Sequence, residues 1–158
     1  MLNAIARVAN PNIHLALAGE GKTRPAMEKL AQQLGIDERV HFLGYRRDIP
    51  TLIQAADAVL LVSEQEGLPR SVMEAMCLNT LVIGSNIRST QDLLKDDCGL
   101  LVELGNTEQL AQAIIKVVEN SDLIGIIEKA KIKVKDYNLE QILRQYVDLY
   151  QLALTNER

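Results

Sequence analysis

Two acidic side chains flank a glycine turn near the middle of the chain, within the stretch S-E-Q-E-G-L-P-R-S-V-M-E-A-M (63–76). If both were helical, Glu66 and Glu74 would lie about 12 Å apart along the helix axis. That separation exceeds the range of the paired acids in glycoside hydrolases, so separate roles are expected. Glu74 could accept hydrogen bonds from a diol such as a ribose, and Glu66 could face a sugar. Alternatively, both are solvated acids favoured by the helix dipole.

The elements around these acids predict how they are positioned. The apolar run Ala58–Val62 has the length and composition of a buried strand. Gly67 then permits a tight turn, and Pro69 suits the first position of a helix. Strand, acidic turn and helix start therefore follow one another directly. In an open α/β sheet, this edge is where phosphates and sugars dock.

A second glycine turn, Gly19-Glu20-Gly21, follows the predicted strand 13–18. Gly21-Lys22-Thr23 has the ending of a phosphate-binding P-loop, but the first glycine of that pattern would fall at Ala16. A dinucleotide-binding fingerprint fails as well, because its third glycine would fall at Arg24. Either the turn lets backbone approach a ligand, or it is a plain strand-to-helix connection.

Composition excludes several classes of protein. A net charge of −4 and an aromatic content of 3% without tryptophan argue against a nucleic-acid partner. Cys77, Cys98 and two histidines are too few for a zinc site, and two buried thiols in a reducing compartment are expected. No signal peptide is expected, and no apolar run of the sequence approaches the ~20 residues of a membrane helix. A cytoplasmic location is expected.

Strands and helices alternate five times before a helical tail, which predicts one α/β domain. Its expected fold is a doubly wound parallel sheet with helices on both faces. The first helix has no N-cap before it, so the chain is expected to begin inside an element. The lysines of 129–135 predict a solvated helix face, or alternatively a membrane or partner surface. Predicted strands are 13–18, 40–43, 58–62, 81–83 and 99–102, and predicted helices are 1–10, 25–34, 49–55, 69–78, 90–94, 107–119, 122–135 and 139–154.

Several segments, taken in order, resemble the family-four glycosyltransferases, a family of group 1 type. The family's E-x7-E element is carried by Glu66 and Glu74, and the resemblance covers nearly the whole chain. It is closest to transferases of bacterial capsule, exopolysaccharide and lipopolysaccharide assembly. The matching segments are G-E-G (19–21), V-H-F-L-G-Y-R-R-D-I (40–49), A-A-D-A-V-L-L-V-S-E-Q-E-G-L-P-R-S-V-M-E-A-M (55–76), V-I-G-S-N-I-R-S-T-Q-D-L-L (82–94) and C-G-L-L-V (98–102).

The resemblance implies one half of a GT-B fold, in which two Rossmann-like domains enclose the active site. Residues 1–158 would be the single nucleotide-sugar-binding domain, truncated at its N-terminal strand and without the acceptor domain. The full enzyme would move a hexose, with retention and no cofactor or metal, from a nucleoside-diphosphate sugar to a glycan or lipid-linked acceptor. UDP is the expected nucleotide, and the cytoplasmic face of the membrane is a possible location. This fragment alone is expected to be inactive.

The resemblance also implies roles for individual residues. Glu66 is the expected catalytic residue, facing the donor sugar, and Glu74 would bind the ribose hydroxyls. The family's G-R-x(4–5)-K-G segment is absent here, and Asn79 replaces a usual glycine. A non-catalytic Rossmann-like interaction module that has lost the donor site is therefore the alternative. The other expected donor-binding residues are Gly19, Gly21, Gly44, Tyr45, Arg46, Gly67, Leu68, Pro69 and Arg70.

Overall fold

The computed structural model describes residues 1–119 and 123–156, and within those ranges five strands alternate with helices as the sequence predicts. A 3-10 turn at Asp37–Arg39 precedes β2, and a second one at Val134–Tyr137 separates the last two helices. The strands are β1 (Leu15–Ala18), β2 (Val40–Gly44), β3 (Ala58–Leu61), β4 (Leu81–Ser85) and β5 (Leu100–Val102). The helices are α1 (Leu2–Arg7), α2 (Arg24–Gln33), α3 (Ile49–Ala55), α4 (Arg70–Cys77), α5 (Arg88–Leu94), α6 (Thr107–Glu119), α7 (Ile124–Lys133) and α8 (Leu139–Asn156).

All strand pairs in the described ranges are parallel, but they form two sheets rather than the one that was predicted. β1 pairs with β2, and β3, β4 and β5 form a second sheet in that order. Leu15 lies opposite Val40 in the first sheet, and Ala58 lies opposite Leu81 in the second. No strand pairing joins β1 to β3 among the residues described.

Helices cover both faces, as a doubly wound fold requires. On one face, α1, α2 and α6 pack on a buried cluster, here called core A, that also contains side chains from β1, β2, β4 and β5. On the other face, α3, α4, α5 and α7 pack on a second cluster, core B. Side chains alternate between the two cores along β3, since Leu60 packs against core A and Leu61 against core B.

Several predicted helix boundaries are corrected by the structure. α1 ends at Arg7, and Val8 is extended, so the predicted helix 1–10 is too long. Pro69 is the extended N-cap of α4 rather than its first helical residue. α6 covers the predicted range 107–119. Its N-cap is Asn106, whose Oδ1 accepts a hydrogen bond from the Gln109 amide at 2.9 Å. The predicted start of α7, at Asp122, lies outside the described residues.

α7 is fixed to the loop between α5 and β5 by two lysines. Lys129 Nζ donates to Asp97 at 2.8 Å, and Lys133 Nζ donates to the Lys95 carbonyl at 3.0 Å. Asp96 and Asp97 both have positive φ, near 60°, so the loop is a strained turn that these lysines hold. The lysines therefore form structural contacts, as well as part of a polar helix face.

α8 extends beyond the body of the fold. Its large apolar side chains are more than half exposed, apart from the half-buried Ile142. Six of them share one stripe, and Leu149 and Leu152 lie outside it. In the described ranges, no helix combines the length and apolar character needed to cross a membrane. The exposed stripe consists of Leu139, Leu143, Tyr146, Val147, Tyr150 and Leu154.

Candidate functional site

The loop that carries Glu66 is tied to the neighbouring strand by one buried hydroxyl. Ser85, at the end of β4, is fully buried. Its Oγ accepts a hydrogen bond from the Ser63 amide at 3.0 Å and donates one to the Ser63 carbonyl at 2.6 Å. The Ser85 carbonyl in turn accepts a hydrogen bond from the Thr90 hydroxyl. The segment 62–69, here called the acidic loop, is thus fixed at its start by Ser85 of the neighbouring strand β4. This contact is long-range in sequence.

The loop ends at the N-terminus of α4. Pro69 is buried, and its carbonyl accepts the amides of Val72 and Met73 at 3.2 and 3.3 Å. No side-chain hydrogen bond caps this helix within the described structure. Its N-terminal amides and the positive end of its dipole therefore point towards solvent beside Gly67 and Leu68, both of which are exposed.

One predicted acid precedes this helix start along the chain, and the other follows it. Glu66 is half-buried in the loop before it. Glu74 is one turn into α4, with its side chain 41% exposed and its Oε1 3.6 Å from Arg70 Nη2. The Arg70 side chain is 84% exposed, so the pair is loose and solvated. Both carboxylates are accessible to a ligand.

A second set of predicted residues lies where β1 and β2 end. The Gly19 amide donates to the Gly44 carbonyl at 2.8 Å, which joins the two strand ends. Gly19 has φ of +138° and Gly44 has φ of +65°, conformations that favour glycine. Gly21 follows in the same turn and is exposed. The predicted glycine turn is therefore required by the backbone, whether or not a ligand approaches it.

Arg24 lies beside this glycine pair and was not predicted from the sequence. Its guanidinium is 5.7 Å from the centroid of the Phe42 ring, and Nε donates to Glu28 at 2.7 Å. A Cβ placed on Gly44 would meet Arg24 Nη1 at 3.6 Å. The Arg24 guanidinium therefore lies at the carboxyl ends of β1 and β2. Its only sequence signal was a basic residue opening a helix after a glycine turn.

Tyr45 and Arg46 follow β2 directly. The Tyr45 side chain is 69% exposed. Arg46 forms a bidentate ion pair with Asp48, in which Nε donates to Oδ1 at 2.8 Å and Nη2 donates to Oδ2 at 2.5 Å. The hydrogen bond raises the pKa of Arg46 and lowers the pKa of Asp48. Asp48 directly precedes α3, but its side chain makes no capping hydrogen bond. It holds the Arg46 side chain instead, so the Arg46 backbone is the part left accessible.

The structure therefore groups the predicted residues into two sets, both at the carboxyl ends of parallel strands. The first set consists of Gly19, Gly21, Gly44, Tyr45 and Arg46. The acidic loop and the start of α4 form the second. Two surface grooves of the described chain lie elsewhere, one of about 410 Å³ along α6 and one of about 350 Å³ along α8. The candidate site is an open surface.

Of the two cysteines that were expected to be buried, one is buried and the other is exposed. Cys98 is buried, and burial raises the pKa of its thiol. Cys77, at the end of α4, is exposed, so the expectation of two buried thiols is wrong for this residue. Among the described residues, no group of three or more histidine, cysteine or acidic side chains is arranged to hold a metal ion.

Comparison with known proteins identifies relatives over most of the chain. Residues 1–134 match the family model described as "Glycosyl transferases group 1". The lipopolysaccharide core biosynthesis glycosyltransferase LpsE of Rhizobium meliloti is 32% identical over 124 residues, which is 78% of this chain and 36% of that protein. The N-acetyl-alpha-D-glucosaminyl L-malate synthase of Bacillus anthracis is 28% identical over 96% of this chain and 40% of its own length. The chain thus spans well under half of these relatives.

Solved structures give the same result for the fold. The crystal structure of Anabaena HepE with UDP-glucose superposes with a TM-score of 0.86 at 26% identity, over 95% of this chain and 43% of that one. WaaG, a glycosyltransferase involved in lipopolysaccharide biosynthesis, superposes with a TM-score of 0.79 at 26% identity, over 94% of this chain and 41% of that one. The prediction of a Rossmann-like α/β fold related to GT-B glycosyltransferases, with a helical C-terminal tail, is confirmed.

Proposed function

The chain belongs to the group 1 glycosyl transferase family, and we propose that it is the donor-binding part of an enzyme that builds a bacterial polysaccharide. The enzyme moves a hexose, with retention, from a nucleoside-diphosphate sugar to a glycan or lipid-linked acceptor. Residues 1–158 form the nucleotide-sugar-binding domain, and acceptor binding is the task of a second domain of a longer protein. On its own this domain binds donor weakly and transfers no sugar.

One observation carries the proposal: two accessible carboxylates flank an uncapped helix N-terminus at the carboxyl ends of parallel strands. Such a terminus attracts the negative oxygens of a diphosphate. Glu66 and Glu74 lie on either side of it. A nucleotide sugar offers both chemistries along its length, because hydroxyls on its ribose and hexose flank a charged diphosphate. The structure of HepE with UDP-glucose, which shares this fold, supports the same assignment.

Glu74 is assigned to the ribose. A carboxylate offers two acceptor oxygens, which match the two adjacent hydroxyls of a ribose. The neighbouring Arg70 is held only at 3.6 Å and is largely exposed, so it can turn from Glu74 to a diphosphate oxygen. At Gly19 and Gly44 no side chain covers the backbone, so the nucleobase of the donor can approach it there.

Glu66 is assigned to the hexose and its reacting carbon. In the transfer, the bond between the anomeric carbon and the diphosphate oxygen breaks, a new bond forms to an acceptor oxygen, and the proton of that acceptor oxygen passes to the departing diphosphate. Negative charge grows on the leaving diphosphate, and the N-terminus of α4 stabilises it. Positive charge grows on the sugar ring, and the Glu66 carboxylate can stabilise it from the loop. These opposite charges explain why an acid and a helix N-terminus lie side by side.

Titration of the chain with UDP tests the assignment. We expect millimolar UDP to shift the backbone amide resonances of residues 44–46 and 67–74 in NMR spectra. Glu74→Gln should weaken binding by roughly 10- to 150-fold, because hydrogen bonds to a charged group contribute about 1.5–3 kcal/mol. Glu128→Gln, on the exposed side of α7, is the matched control and should bind UDP as the parent does.

Two results would contradict the proposal. Shifts confined to the grooves of α6 or α8 would place the nucleotide elsewhere. A folded chain that binds neither UDP nor GDP at millimolar concentration would favour the non-catalytic interaction module. Unchanged UDP affinity in Glu74→Gln would reject the ribose role alone, and the rest of the site would then need a new assignment.

A further inference from the structure

Arg24 lies beside the first set of site residues, and no part of the donor has been assigned to it. It is the first residue of α2, and its side chain is 42% exposed. The Phe42 ring centroid lies 5.7 Å from the guanidinium, within the range of a cation–π contact. Glu28 accepts a hydrogen bond from Nε at 2.7 Å. The guanidinium is therefore held in position, although much of its surface faces solvent.

Part of this guanidinium has no acceptor. Arginine can donate through Nε, Nη1 and Nη2. Nε of Arg24 is bonded to Glu28, and Nη2 makes a long contact with the Phe42 carbonyl at 3.5 Å. Nη1 donates to no acceptor within residues 1–119 and 123–156. Arg24 thus combines a restrained position with donors that remain for a ligand.

The free donors lie beside the backbone of Gly44. A Cβ placed on Gly44 would be 3.6 Å from Arg24 Nη1, and it would meet no other heavy atom of the described residues within 4 Å beyond its chain neighbours. Because Gly44 has no side chain, this position is open to atoms of a ligand. A flat ring that lies on the Gly44 backbone can therefore accept hydrogen bonds from Nη1 at its edge.

The charges at the site favour a neutral acceptor for Arg24. Its ion pair with Glu28, at 2.7 Å, already offsets much of its positive charge. Arg70 is only loosely paired, 3.6 Å from Glu74, and it opens α4, whose N-terminus no side chain caps in the described structure. A diphosphate is therefore better stabilised at α4. Arg24 suits a polar but uncharged acceptor, such as a carbonyl oxygen.

Nucleobases differ in whether they carry such a carbonyl. Uracil and guanine have an acceptor oxygen at the edge where cytosine and adenine have an amino donor. An arginine N–H can bond to the oxygen, whereas it faces another donor when an amino group takes that place. A site built to donate a hydrogen bond discriminates well against an analogue that cannot accept it, because the donor is then left unpaired.

We propose that Arg24 selects the base of the donor nucleotide, so that the domain prefers the keto bases uracil and guanine to cytosine and adenine. The inference rests on the proposed function, which brings a nucleoside diphosphate to this site. The base lies on the Gly44 backbone, and Arg24 Nη1 donates to its carbonyl oxygen. Glu28 and Phe42 are positioning residues, because they hold the guanidinium and do not contact the base.

NMR titration with four nucleotides tests the inference. UDP, GDP, CDP and ADP are the probes, since UDP and CDP share the same ribose and diphosphate, as do GDP and ADP. We expect UDP to bind at least roughly fivefold tighter than CDP, and GDP at least roughly fivefold tighter than ADP. Arg24→Ala should weaken UDP and GDP and bring each pair within about twofold.

Arg24→Lys separates the reading of a base from simple attraction of charge. Lysine retains the positive charge but has a single ammonium group, which cannot donate to Glu28 and to a base from separate fixed nitrogens. We expect this variant to restore little of the preference for UDP over CDP. If it restored the affinity for all four nucleotides equally, Arg24 would act as a charge for the diphosphate, and the inference would be wrong.

Arg7→Ala is the matched control. Arg7 also pairs with a glutamate, since its Nη1 lies 2.9 Å from Glu108 Oε2. It ends α1 and so precedes the amino end of β1, away from the strand ends that carry the site. The variant loses the same charge and a similar ion pair. Its affinities for the four nucleotides should match those of the parent.

Three results would overturn the inference and leave the proposed function standing, because UDP still binds in each. The first is equal affinity of the parent for UDP and CDP. The second is an equal loss for all four nucleotides in Arg24→Ala, and the third is a preference that Arg24→Ala leaves unchanged. A folded parent that binds none of the four nucleotides would instead contradict the proposed function, and the role of Arg24 with it.

Discussion

Replacing the Ser85 hydroxyl should loosen the acidic loop near its start, at Ser63. Ser85 is fully buried, and its Oγ makes hydrogen bonds to both the amide and the carbonyl of Ser63. Ser85→Ala removes both bonds and leaves two polar backbone groups of a half-buried residue without these partners. We expect the free energy of unfolding to fall by about 1–3 kcal/mol, which is roughly a 5- to 150-fold change in the unfolding equilibrium.

The chain offers a matched control in the next helix. Ser89 Oγ is buried and makes no hydrogen bond to any described residue. Ser89→Ala removes a hydroxyl of the same size without breaking a bond. It should leave stability within about 0.5 kcal/mol of the parent, or raise it slightly, because an unpaired buried hydroxyl is unfavourable.

Urea unfolding followed by circular dichroism measures both variants, and amide exchange gives a local readout. In Ser85→Ala, exchange should accelerate at Ser63 and along the acidic loop, while the amides of β1 and β2 keep their rates. Equal unfolding free energies for the two alanine variants would refute the role given to Ser85. So would a loss of stability without faster exchange in the loop, because the hydroxyl would then support only the core.

Three further predictions concern other parts of the fold. Arg39 donates to the carbonyls of Ile5 and Val8 at 3.0 Å, so Arg39→Ala should lower the free energy of unfolding by about 1.5–3 kcal/mol in urea titrations. Asn79 has φ of +60°, a conformation that favours glycine. Asn79→Gly should therefore raise the free energy of unfolding by about 0.5–1 kcal/mol, and Asn79→Ala should lower it by a similar amount. Thermal unfolding should show the two changes as a higher and a lower melting temperature. The hydrogen bond from Lys129 lowers the pKa of Asp97, so the stability difference from Asp97→Asn should be full above about pH 4 and shrink as pH falls further; a difference unchanged down to pH 2 would contradict it.

Local patterns in the sequence predicted the strands and most helices. Each strand is a short apolar run ended by a glycine or polar turn, and these signals do not depend on distant residues. Helix starts were less certain for a physical reason. Proline has the same φ at an N-cap as at the first helical position, so Pro69 fits both. Asn106 and Thr107 are both good caps, and only the hydrogen bond to Gln109 distinguishes them.

What the sequence could not predict depends on register and topology. Arg24 reaches Phe42 only because β1 and β2 pair with Leu17 opposite Phe42. Ser85 reaches Ser63 across neighbouring strands, 22 positions away in sequence. The split between β1 and β3 is equally hidden, because each strand looks like an interior strand in its own sequence. Long-range pairing determines all three.

The exposed stripe of α8 also affects how the chain unfolds. In the folded state, more than half of the surface is already exposed to water for residues of this stripe such as Leu143, Val147 and Tyr150. Unfolding this helix therefore hydrates little new apolar surface, and that hydration is what generates the heat-capacity increment and the denaturant m-value. The heat-capacity increment and the m-value are therefore determined mainly by residues 1–137, and less by the remaining part of the 158-residue chain. A calorimetric value scaled by chain length would overstate the surface that folding removes from water.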